Sequence, residues 1–275
     1  MHSFFKKPVK QLKMRKLLRK EIGPFKGEMI DLLACSSDPY SGVIYEIEID
    51  NCRQRAKDIG AELGKHITFT PVITKLIGHA IAENPAFNQL LLGGDLYQLE
   101  EIHVANLILV PGTEALTYVM IENPHLKTLA DIQQALFSGI ARAREAFAVP
   151  PRRLDALLAH LVYKYGLYRL IGEKRVFTAA YERGLLSNIS LSVHTYATPA
   201  NFVMVKDVIT PIRFLPKIHA CGPFRKPVLD DGMLVSKDML QLHVTTDHRL
   251  INGMHSYQLG QSLARMAAHP EQYLA

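Results

Sequence analysis

Apolar and polar positions divide the chain into helical and extended segments. Tyr45 to Asp50 alternate apolar with polar, the period of a half-buried strand, and Val43 and Ile44 lengthen it. Asn51 to Leu63 reads as a helix closed by Gly64. After Thr70-Pro71, a cap residue followed by proline, Val72, Ile73, Leu76, Ile77, Ala80 and Ile81 recur at helical spacing until Asn84-Pro85. Leu90 to Val110 predicts one or two strands around the turn Gly93-Gly94-Asp95, and Glu114 to Glu122 another. Thr128, with Asp131 three positions on, predicts the start of a helix running to about Ala146. Past the break at Pro150-Pro151, Leu154 to Tyr181 reads as helical, with Leu157, Leu158, Leu161, Val162 and Tyr165 on one face. Strands are predicted at Ile189 to His194, Phe202 to Val208, Arg213 to Ala220 and Met239 to Thr246, and a closing helix from about Met254 to Ala268. Helices and strands alternate early and strands cluster late, which reads as one α/β or α+β domain.

Composition narrows the class. With 48% hydrophobic and 21% charged residues, the 275-residue chain has the balance of an ordinary globular protein rather than a disordered one. No run approaches the roughly 20 apolar residues of a membrane span. Cys35, Cys52 and Cys221 are far apart and odd in number. They build neither a disulfide framework nor a CxxC metal site, so a reducing compartment and no metal are expected. The localisation expected is cytoplasmic.

The net charge is +6, and its excess sits at the start. Lys6, Lys7, Lys10, Lys13, Arg15, Lys16, Arg19 and Lys20 occur with no acid among them. Three readings are open: a first helix with a solvated basic face, an arm for nucleic acid or anionic lipid, and a mitochondrial targeting peptide. The first is preferred, with Val9, Leu12, Leu17 and Leu18 as its buried side, so residues 1–26 are expected as a basic arm or helix. Nucleic acid is not the expected partner, and contact with a membrane surface has no support beyond this charge.

The sharpest local signal is Thr245-Thr246-Asp247-His248-Arg249-Leu250-Ile251-Asn252-Gly253. A period-2 strand from Leu240 runs into it, with Leu242, Val244, Thr246 and His248 on one face and His243, Thr245 and Asp247 on the other. The strand thus ends at an imidazole just before an Asn-Gly turn, where reactive groups are usually displayed.

This stretch resembles the H-x-x-x-D-G signature of the dihydrolipoyl acyltransferase catalytic domain of 2-oxoacid dehydrogenase complexes, a motif and fold shared with chloramphenicol acetyltransferase. Asp247-His248-Arg249 is similar to the family's D-H-R, and Met254-His255 to the chloramphenicol branch. His269-Pro270-Glu271-Gln272-Tyr273-Leu274 is similar to N-P-E-x-L-L, Tyr45 to Asp50 to the strand ending E-x-D-v, and Asn84-Pro85-Ala86-Phe87-Asn88 to y-P-x-l-N. Met14-Arg15-Lys16 resembles the opening helix, and Asn188-Ile189-Ser190-Leu191-Ser192-Val193 the T-F-T-I-S-N strand.

The resemblance implies a two-layer sandwich, a mixed sheet with flanking helices, spanning residues 1–275 as a single catalytic domain. It implies acyl transfer, with His248 as general base and Ser192 as the hydroxyl that donates to the oxyanion; Ser190 is the alternative register. Asn252 joins the catalytic set, while Asp247, Arg249, Gly253, Ser190 and His255 are the expected substrate- or coenzyme-binding positions. Coenzyme A is implied as a substrate, and a homotrimer with the active site at the subunit interface. The acceptor is a small molecule or a carrier protein. Neutral imidazole suits proton abstraction from a thiol, alcohol or amine near pH 7, and one oxyanion donor is worth roughly 3 kcal/mol.

The chain departs from the pattern in three places. Asn252 stands where the family has Asp, whose expected ion-pair partner here is Arg15; an amide cannot form that pair. Residues 150–186 are expected to form an extra helical insertion. No D-K-A tripeptide occurs, so no covalent lipoyl group, lipoyl domain or peripheral-subunit-binding domain is expected. The alternative to an enzyme is a catalytically silent relative that serves as a scaffold or assembly subunit.

Overall fold

Strand pairing organises the molecule. A computed structural model of the chain describes residues 13–22, 24–32, 39–109, 116–148, 175, 178, 189–194 and 216–275. The strands are β1 (Met14–Lys16), β2 (Tyr40–Glu48), β3 (Gln89–Leu92), β4 (Asp95–Leu99), β5 (His103–Leu109), β6 (Leu116–Glu122), β7 (Ile189–His194), β8 (Lys217–Asp230) and β9 (Met233–Asp247). The helices are α1 (Pro24–Leu32), α2 (Asp50–Glu62), α3 (Phe69–Glu83), α4 (Leu129–Ala148) and, last in the chain, α5 (Gly253–Ala268). Six strands form one mixed sheet in the order β2-β9-β8-β7-β5-β6, and three form a second in the order β1-β4-β3. Within the large sheet β7 runs parallel to both neighbours, and its other pairs are antiparallel. This is the expected α/β (α+β) class, a mixed sheet with flanking helices.

Alternation decides which face of that sheet carries the core. Ile189, Leu191, Ile218, Ala220, Leu240, Leu242 and Val244 all join the apolar core with α3 and α5. The intervening residues Lys217, His219, His243 and Thr245 lie on the opposite face. The core is densely filled: Cys52, Val72, Ala80, Leu129, Ile189, Leu191, Leu259, Met266 and Leu274 are wholly inaccessible.

Helix α3 lies at the centre, against α4 and α5. Its amphipathic pattern understates its burial, because Thr74 and Lys75 are buried as well. Thr74 Oγ1 lies 2.8 Å from both the Thr70 carbonyl and Asn106 Oδ1. The Lys75 ammonium donates to the Lys127 carbonyl and, at 3.4 Å, to that of Ala275. These contacts supply the partners that a buried polar group requires.

Several sequence expectations change. The helix starts at Phe69, two positions earlier than the expected Pro71, with Thr68 at the cap position. Met14-Arg15-Lys16 is a strand, not the opening helix, because it completes the free edge of the β3–β4 hairpin. Its basic residues find acids there: Lys16 meets Asp95 at 2.7 Å, and Lys13 meets Glu101 at 3.5 Å. Residues 90–110 hold three strands rather than one or two. The late strands are longer than predicted, since β8 and β9 continue to a two-residue turn at Asp231 (φ 46°) and Gly232 (φ 79°). Both left-handed conformations fit the tight hairpin that an Asp-Gly pair signals. The expected insertion at 150–186 and strand at 202–208 fall outside the described residues, apart from residues 175 and 178, which are helical.

Helix α5 is seated on β2 through Tyr45. The Tyr45 hydroxyl donates to the Ser256 carbonyl at 2.7 Å, and burial pushes its pKa up to about 12. The ring passes so close to Gly260 that a Cβ there would meet Tyr45 Cε1 at 2.7 Å. Gly260→Ala is therefore expected to destabilise the fold by about 1–3 kcal/mol, the usual cost of overpacking. Denaturant unfolding monitored by circular dichroism checks this, and an unchanged midpoint would refute the close seating.

Candidate active site

Strand β9 leads to the histidine turn and α5 leaves it. At the entrance, the His248 amide donates to the Pro39 carbonyl at 2.7 Å. The Asp247 carbonyl accepts from the amides of Leu250 and Ile251, both at 3.0 Å, which closes the turn. The Asp247 carboxylate is 4% exposed and is satisfied by Arg249. The guanidinium donates through Nε at 2.9 Å and Nη2 at 2.5 Å, and the Arg249 amide adds a third bond at 3.0 Å. A two-pronged pair of this kind fixes orientation as well as charge. Asp247 and Arg249, expected at the substrate, are thus engaged with each other and brace the turn.

Within this frame His248 is half-buried, and its Nδ1 lies 2.9 Å from the Ile251 carbonyl oxygen. A carbonyl oxygen only accepts. The contact therefore requires the proton on Nδ1, and a neutral ring then carries its lone pair on Nε2.

Asn252 and Gly253 form a helix start rather than the expected turn. Asn252 is the N-cap of α5: its Oδ1 accepts from the His255 amide at 3.0 Å, while its own amide donates to His255 Nδ1 at 3.2 Å. Two orphan donors of the helix end are satisfied reciprocally. Burial, and then the nearby Lys26, hold the His255 pKa below the ordinary imidazole value. Gly253 is exposed, and among the described residues a Cβ there would meet no atom within 4 Å.

Arg15 does not join Asn252. Its Nη1 donates to Glu21 Oε1 at 2.5 Å, on the small sheet's edge. The expectation that Asn252 leaves this arginine without an acid is corrected by that pair, and Asn252 Oδ1 serves as the helix cap.

Ser192 stands in β7, in register with Leu107 on one side and His219 on the other, and His219 is in turn opposite His243. Ser190 lies one row away, with Ala105, Lys217 and Thr245. The serine side chains fall outside the described residues. The separation from His248 is set by the backbone. His248 follows His243 by five residues, about 17 Å at strand rise, and Ser192 is two strand spacings further across. Within one chain, Ser192 and His248 are not brought together.

The rows beside the two serines are polar and buried: Lys217 is 8% exposed, and His219 and His243 are 6% each. Sequence reading placed His243 on this face but missed Lys217 and His219. The signal was the alternation K-I-H-A entering β8, where apolar residues fill only every second position. Among the described residues no cluster of three or more His, Cys, Asp or Glu stands together as metal ligands.

The architecture matches known acyltransferases. A probable dihydrolipoamide acetyltransferase from Listeria monocytogenes superposes over 92% of this chain and 93% of its own, at a TM-score of 0.59 and 15% identity. The dihydrolipoamide acetyltransferase of Azotobacter vinelandii covers 93% of this chain and 90% of its own, at 0.57 and 18%. A chloramphenicol acetyltransferase covers 92% and 100%, at 0.55 and 16%. The chain has the chloramphenicol acetyltransferase-like fold. No family model matches the sequence. For the Azotobacter enzyme, the catalytic mechanism has been investigated at a serine, a histidine and an asparagine four positions after the histidine.

The cap geometry predicts that Asn252→Ala destabilises the protein by about 1 kcal/mol, while Asn252→Asp, an equally good cap, costs little. Equilibrium unfolding in urea checks both. Equal losses in the two variants would contradict the cap assignment.

Proposed function

We propose that this protein is an acyltransferase that moves an acyl group between a thioester, of coenzyme A or carrier-bound, and a small acceptor. The observation that carries the reading is the bond from His248 Nδ1–H to the Ile251 carbonyl, which leaves Nε2 as the base. Nε2 takes the proton of the acceptor thiol, and the sulfur attacks the thioester carbonyl carbon. The carbonyl π electrons move to oxygen, where the Ser192 hydroxyl donates to the oxyanion. Collapse of this intermediate breaks the carbon–sulfur bond, and the leaving thiolate takes the proton from Nε2–H. A held imidazole contributes by general base catalysis about 10²–10⁴-fold, and a fixed donor adds stabilisation where charge develops.

The distance between Ser192 and His248 in one chain supports a site assembled from two chains, as in a homotrimer in which the serine strand of one copy faces the histidine turn of the next. Asn252 does not argue for a silent scaffold. Its spacing from His248 is the spacing of the histidine and asparagine investigated in the Azotobacter enzyme, and it caps the helix that follows the turn.

The test is His248→Ala with a panel of acyl-coenzyme A donors and dihydrolipoamide as acceptor. Thioester turnover is expected to fall by about 10²–10⁴-fold, with the melting temperature and oligomeric state unchanged. Turnover at a near-native rate in the variant would overturn the reading.

A further inference from the structure

The histidine three positions into α5 is bound to the turn that carries the base. His255 Nδ1 accepts the Asn252 amide at 3.2 Å, and the residue before Asn252 supplies the carbonyl that holds His248 at 2.9 Å. Any movement of the Asn252 amide is therefore passed through one peptide unit to the His248 ring. In most capping boxes this acceptor is Glu or Gln. Here it is imidazole, which can accept at Nδ1 only while that nitrogen is unprotonated.

Lys26, whose charge disfavours protonation of His255, is itself held by the small sheet. It lies on α1, half-buried, with its ammonium donating to Gln89 Oε1 at 2.5 Å. Gln89 Nε2 in turn donates to Gln98 Oε1 at 2.9 Å, so the small sheet fixes the lysine in place. Among the described residues, Lys26 is the charged group that acts on His255. From β2, Tyr45 reaches the next residue through the Ser256 carbonyl and brings no charge.

We propose that His255 is a positioning residue for His248 and that its neutral form locks the Asn252 amide and with it the Ile251 carbonyl. This rests on His248 being the base. Its consequence is a second titration in the acid limb of the reaction. Burial and Lys26 both depress the His255 pKa in the folded protein. The lock is therefore intact above the ordinary imidazole range and is lost as pH falls through the depressed value.

The experiment compares wild type, His255→Ala, His255→Gln and Lys26→Met in coenzyme A thioester turnover from pH 5 to 8, with amide hydrogen exchange at Asn252 over the same range. His255→Ala is expected to lower kcat by about 10–100-fold, the scale of an ångström-level misplacement, with KM for the thioester little changed, and to speed Asn252 exchange. His255→Gln, an acceptor that does not titrate at these pH values, is expected to restore most of kcat and slow exchange and to remove the second acid-limb step. Lys26→Met is expected to move that step to higher pH. A glutamine variant as impaired as the alanine, or an acid limb unaltered in all three, would overturn the proposal. Asn252 exchange that follows the expected pattern while wild type shows no His248-dependent turnover would overturn the acyltransferase reading instead, leaving the lock intact.

Discussion

A backbone carbonyl accepts hydrogen bonds and never donates them, and that asymmetry is the constraint on which this site depends. The Ile251 oxygen sets which nitrogen of His248 carries a proton, and so which one is a base. The oxygen is placed by the turn, the turn by the Asp247–Arg249 pair at its entrance and by the Asn252–His255 cap at its exit. The cap is placed by α5, and α5 by the contact of Tyr45 with Ser256 and Gly260. Each step transfers orientation from a rigid element to a smaller one, the arrangement by which a scaffold holds a reactive group.

The sheet adds a second constraint, of distance. One face of β7, β8 and β9 is spent on the apolar core, and the other carries buried Lys217, His219 and His243. Strand geometry separates the serine row from the histidine turn by far more than a hydrogen bond. A chain with this fold carries a histidine turn and a distant serine strand, and the chemistry proposed for it needs the two from different copies.

Much of this was legible in the sequence where local physics decides. The strand Ile189–His194 and the start of the last helix were read to within a residue, because alternation and cap chemistry act over a few positions. The Thr128–Asp131 cap was also legible for this reason: both side chains act within one turn. Met14–Lys16 was misread as helix because what makes it a strand is an edge more than eighty residues away. Arg15 was assigned to Asn252 on resemblance, whereas the chain supplies Glu21 six residues on. Asn252-Gly253 looked like a turn, since the same two residues serve turns and helix starts, and only the reciprocal bond with His255 distinguishes them.

The central claim, that the fold holds His248 with Nδ1 protonated and Nε2 free, is tested most directly by nitrogen NMR of the labelled imidazole in the intact protein above pH 7. The account predicts a proton-bearing Nδ1 and an unprotonated Nε2 for the His248 ring. The opposite tautomer, or rapid exchange between the two, would contradict it.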